Sequence, residues 1–276
     1  AVVENFFPTG YGFPGYTLMG GRVLRLPFIL STSLGHEIAH CWWGNGVYVD
    51  PRGGNWSEGL ATYVADYHFR ELQGPAAARE YRRELLRGYA TLALPEREFA
   101  LSRFTHRTDP LSKVVGYDKG AFVFHMLRRQ VGEVAFDQAL RDFYETHRFR
   151  RAGWDDLRTA FEKYSREPLQ GFFDQWVTGA GGPQLTLANV RLRALKEGYR
   201  VSGTLTQRPP HYQLEVPLTL FTATTRVSRR LTLTGPATRF DFSVAEAPLR
   251  LEADPDYDLF RRLSAEEIPP TVNTLK

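Results

Sequence analysis

The chain has 276 residues, of which 42% are hydrophobic and 24% charged. This composition supports one large domain or two modest ones and excludes a largely disordered chain. The net charge of +4 is too mild to indicate nucleic-acid binding, and no run of 18 apolar residues predicts a membrane span. A single cysteine, Cys41, excludes an internal disulfide framework.

The chain begins with Ala1 in place of methionine, as after removal of a signal or pro-segment or after trimming. It carries no charged n-region followed by an apolar h-region. We therefore expect a soluble protein, while its compartment and oligomeric state stay open.

The first 30 residues are rich in glycine, proline and aromatic side chains, with short strands predicted at 16–19 and 23–30. From Ser31 to about Gln170 the apolar spacing is helical. The first of these helices is predicted to end near Gly44, where a glycine can terminate it.

Three later features complete this helical part. A second helix is expected to begin at Asn55 or Ser57, either of which can cap it. Another helix is predicted to start near Tyr117, and its apolar run over 121–127 indicates that it is buried.

After Pro183 the period changes to strict alternation, as in Leu214, Val216, Leu218 and Leu220. About six short strands of a β-sandwich follow from this pattern. The sequence therefore predicts an α+β fold with a mainly helical domain over 1–183 and a β-sandwich domain over 184–276 that includes a charged C-terminal tail.

The motif H-E-x-x-H lies inside the first predicted helix, at His36-Glu37-Ile38-Ala39-His40. Helical spacing puts both histidines on one face, where their imidazoles can reach one Zn²⁺ ion. Glu37 lies beside that face and can hold the water that the metal activates. About 0.01 such motifs are expected by chance in a chain of this length. A buried histidine pair with a surface glutamate is the alternative interpretation.

Glu58 opens the next predicted helix and is the candidate third zinc ligand. The 17 residues between His40 and Glu58 allow the second helix to fold back against the first. A carboxylate in the first turn is also favoured by the helix dipole, which would make Glu58 purely structural. Thr62, one turn later, is a candidate hydrogen-bond partner for a ligand or, alternatively, a solvent-facing threonine.

The sequence around these residues resembles the membrane alanyl aminopeptidase (aminopeptidase N) family of gluzincin zinc metallopeptidases. The segment from His36 to Asn45 reads H-E-I-A-H-C-W-W-G-N, and the segment from Trp56 to Tyr63 reads W-S-E-G-L-A-T-Y. The family's Tyr-x-Lys-Gly motif is matched by Tyr117-Asp118-Lys119-Gly120.

The resemblance implies a thermolysin-like catalytic domain followed by the family's β-sandwich domain. It implies Zn²⁺ bound by His36, His40 and Glu58, with Glu37 as the general base. Tyr117 matches the tyrosine that stabilises the oxyanion, and peptides are the implied substrates.

Three departures from the family pattern stand out. The family usually has 18 residues before the third ligand, one more than this chain. Its Gly-x-Met-Glu-Asn motif, whose glutamate grips the substrate amine, is absent, and Glu4 is the only acidic residue within 1–35. Its large N-terminal β domain and C-terminal helical domain have no counterpart in these residues, so the resemblance implies a minimal form.

The sequence therefore predicts a zinc metallopeptidase, with an aminopeptidase as the first interpretation. The missing amine-gripping glutamate keeps a zinc endopeptidase open. A non-catalytic peptidase-like binding module, in which zinc only braces the helices, is the third interpretation.

Overall fold

The computed structural model describes residues 1–268 and has the mixed α+β composition that the sequence predicts. The chain forms two compact units, one spanning Ala1–Gly181 and the other beginning at Gly182. The last eight residues of the predicted C-terminal tail, 269–276, lie outside the described residues. Within 1–268, no helix is long and apolar enough to cross a bilayer.

The first unit begins with a three-stranded sheet of β1 (Val2–Asn5), β2 (Gly10–Phe13) and β3 (Tyr16–Gly20). The strand order is β1-β3-β2, with β1 parallel and β2 antiparallel to β3. Thr17 and Met19 of β3 are buried, and they fix the face of the sheet that meets the helices. This sheet includes the strand that the sequence predicts at 16–19.

The prediction of a second strand near the N-terminus, at 23–30, is wrong. Its residues form a short helix α1 (Gly21–Leu24) and a 3₁₀ turn (Ile29–Ser31). Pro27 has no N–H group for a sheet ladder, and the chain makes local bonds at this point, such as Ile29 N–H to the Leu26 carbonyl oxygen at 3.1 Å. A short apolar run alone cannot distinguish these outcomes.

Helix α2 (Ser33–Ala39) carries the H-E-x-x-H motif and ends earlier than predicted. The chain turns after His40, and Gly44 adopts a positive φ of 119° that a side chain would strain. It continues into β4 (Tyr48–Val49), which pairs in parallel with β5 (Arg151–Ala152).

The next helix runs without interruption through three segments: α3 (Ser57–Ala61), a π-helical turn (Thr62–Tyr67) and α4 (His68–Leu72). It begins at Ser57, one of the two predicted positions, with Trp56 as its N-cap residue, and the Asn55 side-chain oxygen accepts from Ser57 N–H at 2.9 Å. Helix α5 (Pro75–Leu92) follows.

A third long helix combines α6 (Pro110–Lys113), a π-helical turn (Val114–Lys119) and α7 (Gly120–Val131). It starts seven residues before the predicted position, because Asp109 caps it by accepting from Ser112 N–H at 2.7 Å. Helix α7 is buried over 120–127, as its apolar run indicates.

The helices α3 and α7 cross at a pair of glycines. A Cβ atom on Gly59 would lie 2.6 Å from Gly120 Cα, closer than real side chains pack. This close approach brings Glu58, beside Gly59, towards Tyr117, one turn before Gly120.

The first unit is completed by α8 (Glu133–His147), α9 (Trp154–Glu162) and α10 (Gln170–Phe173), with a π-helical turn (Asp174–Thr178) after α10. Phe136 and Phe161, from α8 and α9, are buried in the helical core with their ring centroids 5.2 Å apart.

In its described part, the second unit contains six strands, which form two three-stranded antiparallel sheets in the orders β10-β7-β6 and β11-β8-β9. The strands are β6 (Leu185–Ala194), β7 (Tyr199–Gln207), β8 (Leu214–Phe221), β9 (Arg226–Leu233), β10 (Ala237–Val244) and β11 (Arg250–Ala253). The alternating apolar residues are buried on one face of each sheet, including Phe242 on β10 and Leu218 on β8. Arg229 of β9 reaches across to β10, where its guanidinium lies 5.2 Å from the Phe242 ring centroid.

Candidate metal centre

The two histidines of the motif lie one turn apart at the end of α2, with ring centroids 4.9 Å apart. His36 is buried, and the His40 side chain is 14% exposed. Both direct their Nε2 atoms at the same carboxylate oxygen, Glu58 Oε2, at 3.3 Å and 3.2 Å respectively. The structure therefore brings together the three residues that the sequence singles out as ligands.

The spacing of these three ligand atoms fits a single metal ion. They all lie within 4.8 Å of one another. A tetrahedral Zn²⁺ with bonds of 2.0–2.2 Å has its ligand atoms about 3.4 Å apart, and the two distances to Glu58 Oε2 match this edge length.

The other ring nitrogen of each histidine has its own partner. His40 Nδ1 lies 2.8 Å from the Trp43 carbonyl oxygen, and His36 Nδ1 lies 3.1 Å from Asp66 Oδ2. A carbonyl oxygen can only accept, so His40 Nδ1 carries a proton and the ring directs its Nε2 atom towards Glu58. Partners of this kind fix both the orientation and the tautomer of metal-binding histidines.

Asp66 is the residue at this site that sequence reasoning missed. It follows Glu58 by eight residues on the same helix, with Thr62 between them. A spacing of four and eight places the three residues near one face. That periodicity was the available signal, although the π-helical turn between them shifts its phase.

The charges at the site are suited to a cation. Burial alone would lower the pKa of His36, but its hydrogen bonds to Asp66 and Glu58 raise it to about 10. Burial would likewise raise the pKa of Glu58, but hydrogen bonds from the two histidines lower it well below its ordinary value. Both shifts reflect two carboxylates concentrated around the imidazoles, a donor set that favours a divalent cation such as Zn²⁺.

Glu37 lies beside the ligands and packs against strand β2. Its carboxylate accepts a hydrogen bond from the Gly12 main-chain N–H. Burial raises the pKa of the Glu37 carboxyl group, although the nearby His36 and His40 oppose the shift. A partly desolvated carboxylate with a raised pKa is the environment that a general base requires.

Tyr117 lies on the π-helical turn of the third long helix. Its ring stacks on His36 at a centroid distance of 5.9 Å and an angle of 14°, and its hydroxyl forms a hydrogen bond with Glu58. Burial raises the pKa of the Tyr117 hydroxyl far above its ordinary value, and the Glu58 charge raises it further. The hydroxyl therefore stays protonated at neutral pH and can donate a hydrogen bond.

Thr62 hydrogen-bonds one of the proposed ligand residues and does not face solvent. It is buried, and its hydroxyl donates to the main-chain carbonyl oxygen of Glu58 at 2.8 Å. It therefore contacts the backbone of one ligand residue and neither the carboxylate nor solvent.

A cluster of two histidines and one glutamate, on an H-E-x-x-H helix and the helix that follows it, defines the gluzincin class of metal centre. Comparison with known proteins agrees: residues 30–176 match the model of the peptidase family M1 domain, which is more than half of the chain. The chain belongs to peptidase family M1, which confirms the resemblance drawn from the motifs.

Similar proteins include aminopeptidase M1 of Arabidopsis thaliana, which is 28% identical over 200 residues, 69% of this chain and 22% of the relative. Tricorn protease-interacting factor F2 of Thermoplasma volcanium is 25% identical over 71% of this chain and 25% of its own length. The chain thus spans about a quarter or less of these relatives.

The fold is similar to that of aminopeptidase A of Legionella pneumophila, a crystal structure of a complex with aspartic acid. The TM-score is 0.64 at 17% identity, and the match covers 95% of this chain and 31% of that one. At this level of identity the similarity concerns the fold.

Proposed function

We propose that the protein is a zinc-dependent aminopeptidase that removes N-terminal residues from peptides. The observation that supports this most directly is the convergence of His36, His40 and Glu58 on one point. Glu37 and Tyr117 both lie beside these ligands. A metal used only for bracing requires neither an adjacent base nor a hydroxyl donor.

His36 Nε2, His40 Nε2 and a Glu58 oxygen would hold the ion. Zn²⁺ bound there would activate water and polarise the scissile carbonyl. Three protein ligands would leave a coordination position for water or substrate, as in other catalytic zinc sites.

Glu37 would act as the general base. Its carboxylate would take a proton from the attacking water and then deliver it to the leaving nitrogen. The raised pKa produced by burial favours this second step, because a carboxyl group of higher pKa holds the proton until the nitrogen accepts it.

Tyr117 would stabilise the charge that develops on the carbonyl oxygen. Its hydroxyl remains protonated at neutral pH and lies next to the ligand Glu58. One such donor contributes about 3–4 kcal/mol to stabilisation of a transition state.

We assign residues 1–183 to a thermolysin-like catalytic domain and residues 184–276 to a β-sandwich domain. The first assignment is supported by the location of all five proposed functional residues in the first unit. The second is supported by two three-stranded sheets that each bury one face. Peptides are the proposed partners, and the mild net charge gives no reason to propose nucleic acid.

The test combines metal analysis with hydrolysis of aminoacyl chromogenic amides. We expect about one Zn²⁺ per chain and hydrolysis that a chelator abolishes and added zinc restores. Glu37→Gln should retain the metal and lower kcat by 10²–10⁴-fold, because the base is lost and the ligands are kept. An inactive, zinc-loaded wild-type protein would favour the non-catalytic binding module instead.

A zinc endopeptidase is the second candidate, and the surroundings of Glu4 favour it. Glu4 is the only acidic residue within 1–35, and its carboxylate pairs with Arg25 at 3.1 Å. Its carboxylate is therefore already engaged with a cation, and a substrate amine would have to compete with Arg25 for it. The test is cleavage of an N-acetylated peptide beside its free-amine twin; equal rates would indicate an endopeptidase.

A further inference from the structure

Strand β2 packs closely against Glu37, the proposed general base, and two glycines of the strand, Gly10 and Gly12, allow this close approach. A Cβ atom on Gly10 would lie 2.7 Å from both Cγ and Oε1 of Glu37. A Cβ atom on Gly12 would lie 2.7 Å from the Glu37 carbonyl oxygen and 2.9 Å from His40 Cβ. Any larger residue at either position would displace the strand or the base.

The main-chain groups of Gly12 point towards α2 and away from β3. Gly20 N–H donates to the Thr9 carbonyl oxygen at 3.0 Å, so alternate residues of β2 bond to β3. The antiparallel pattern leaves Gly10 and Gly12 with outward-facing N–H and C=O groups. At Gly12 both of these groups have partners outside the sheet.

On one side of Gly12, its N–H donates to the Glu37 carboxylate. On the other, its carbonyl oxygen accepts from Asn45 Nδ2 at 3.0 Å. Gly12 is therefore held on both sides of its Cα atom, between the proposed base and the Asn45 amide.

Asn45 is itself fixed to the helix that carries the ligands. Its main-chain N–H donates to the His40 carbonyl oxygen at 3.0 Å, in the turn that Gly44 makes possible. Hydrogen bonds thus link His40 to Asn45, Asn45 to Gly12, and Gly12 to Glu37. The path is closed because Glu37 and His40 are one turn apart at the end of α2.

We propose that Asn45 is a positioning residue that acts through the Gly12 peptide to fix the orientation of the Glu37 carboxylate beside the metal ligands. This inference rests on the proposed function, because it assumes that Glu37 is the base. Without the Asn45 amide, β2 is free to move from α2, and Glu37 loses the donor that selects its rotamer. The alternative is that Asn45 only stabilises the turn after α2, in which case the chemical step does not depend on it.

The first variant is Asn45→Asp, which keeps the size of the side chain but places a carboxylate against the Gly12 carbonyl oxygen. We expect kcat to fall about 10- to 100-fold, the range found when partners of active-site groups are removed, with KM and zinc content unchanged. The matched control is Asn189→Asp, on an exposed residue of β6, which should leave both constants unchanged. An unchanged kcat, or a fall explained by lost zinc, would overturn the inference.

The second variant, Gly10→Ala, displaces the Glu37 side chain without adding charge. The new methyl group would collide with flexible side-chain atoms and leave the backbone in place. It should lower kcat by a similar factor and leave the zinc content unchanged. Gly53→Ala is the matched control, since nothing lies within 4 Å of the added methyl group.

A readout independent of activity separates this inference from the proposed function. In protein labelled with ¹⁵N-glycine, the Gly12 amide signal should shift in Glu37→Gln and in Asn45→Asp, and should not shift in Asn189→Asp. An inactive wild type with these shifts would refute the proposed function and retain the contact path. If the wild type is active but the Gly12 signal does not shift in Glu37→Gln, the positioning role of Asn45 alone is refuted.

Discussion

Both units contain a buried cluster of charged side chains, and the two clusters are compensated differently. In the second unit, the Arg261 guanidinium pairs with Asp254 at 3.0 Å and with Glu267 at 2.7 Å. Arg261 and Asp254 are almost completely buried. Each carboxylate therefore meets a cation that is permanent at any physiological pH.

At the candidate metal centre the carboxylates meet groups of another kind. Glu58 faces the Nε2 atoms of His36 and His40 together with the Tyr117 hydroxyl, and Asp66 faces the remaining nitrogen of His36. Imidazoles bind metals in their neutral form. A cation bound at this site would therefore take the place of the proton that the raised pKa of His36 retains there.

The comparison separates two uses of buried charge. A carboxylate paired with arginine has its hydrogen-bonding capacity occupied and serves the fold. A carboxylate that converges with imidazole lone pairs leaves a place for a divalent ion. Substitutions in the two clusters should therefore affect different properties of the protein.

The largest expected effect is loss of metal from the ligand cluster. His36→Ala or Glu58→Ala should release zinc and abolish hydrolysis, measured by elemental analysis and by assay. Arg261→Met should retain zinc but destabilise the protein by about 3–5 kcal/mol, because the buried Asp254 carboxylate and the partly exposed Glu267 carboxylate lose their arginine partner. Unfolding by denaturant measures this loss, and a zinc deficit in folded Arg261→Met would contradict the distinction between the clusters.

Tyr117→Phe removes a hydroxyl and leaves the ligands in place. We expect kcat to fall about 10²–10³-fold, because one donor to the developing charge is lost. KM should change less, since the ground state depends less on that donor. Tyr164→Phe, at a partly exposed tyrosine, is the control. An unchanged kcat would remove Tyr117 from the proposed mechanism.

Asp66→Asn keeps an oxygen that can accept from His36 but removes the negative charge. We expect zinc affinity to fall about 10- to 100-fold, measured by competition with a chelator, with a smaller effect on kcat. The control Asp155→Asn changes a carboxylate that is 92% exposed. Equal zinc affinity in wild type and Asp66→Asn would mean that Asp66 only packs against the ligand.

Three of the residues that the sequence identified at the site are close together in the chain. His36, Glu37 and His40 lie within five residues, and their helical spacing alone places them together. Glu58 and Tyr117 are distant in sequence, and only the family resemblance gave Tyr117 a role. The Gly59–Gly120 crossing that brings those two residues together depends on tertiary packing, which no local pattern records.

The residues that the sequence did not identify act through tertiary contacts. Asn45 lies within the quoted motif segment, but its role depends on Gly12, 33 residues away. Gly12 belongs to a glycine-rich stretch that local patterns assign to turns, yet it forms an edge strand. At the fold level, the alternation after Pro183 predicted the six strands well, because each strand buries one face and the period is unambiguous.

The last expected effect, on stability alone, concerns Asp118, a buried carboxylate whose partner is a flexible lysine. Burial raises its pKa to about 6, against the opposing charge of Lys113, whose Nζ lies 2.5 Å away. The folded state therefore holds this proton at a pH where the unfolded chain, with a pKa near 3.8, has released it. Stability from this group is complete below pH 4 and is lost as the pH rises through 6.

This pKa shift corresponds to a loss of about 3 kcal/mol of folding stability between pH 4 and pH 7. Asp118→Asn cannot ionise, so its stability relative to wild type should rise by up to that amount over the same range. Denaturant unfolding at several pH values measures the trend, and the slope of relative stability against pH decides the question, because the Lys113 ion pair is already included in the Asp118 pKa. A relative stability that stays flat or falls with pH would show that Lys113 compensates Asp118 as fully as Arg261 compensates Glu267, whose pKa burial would raise but Arg261 lowers.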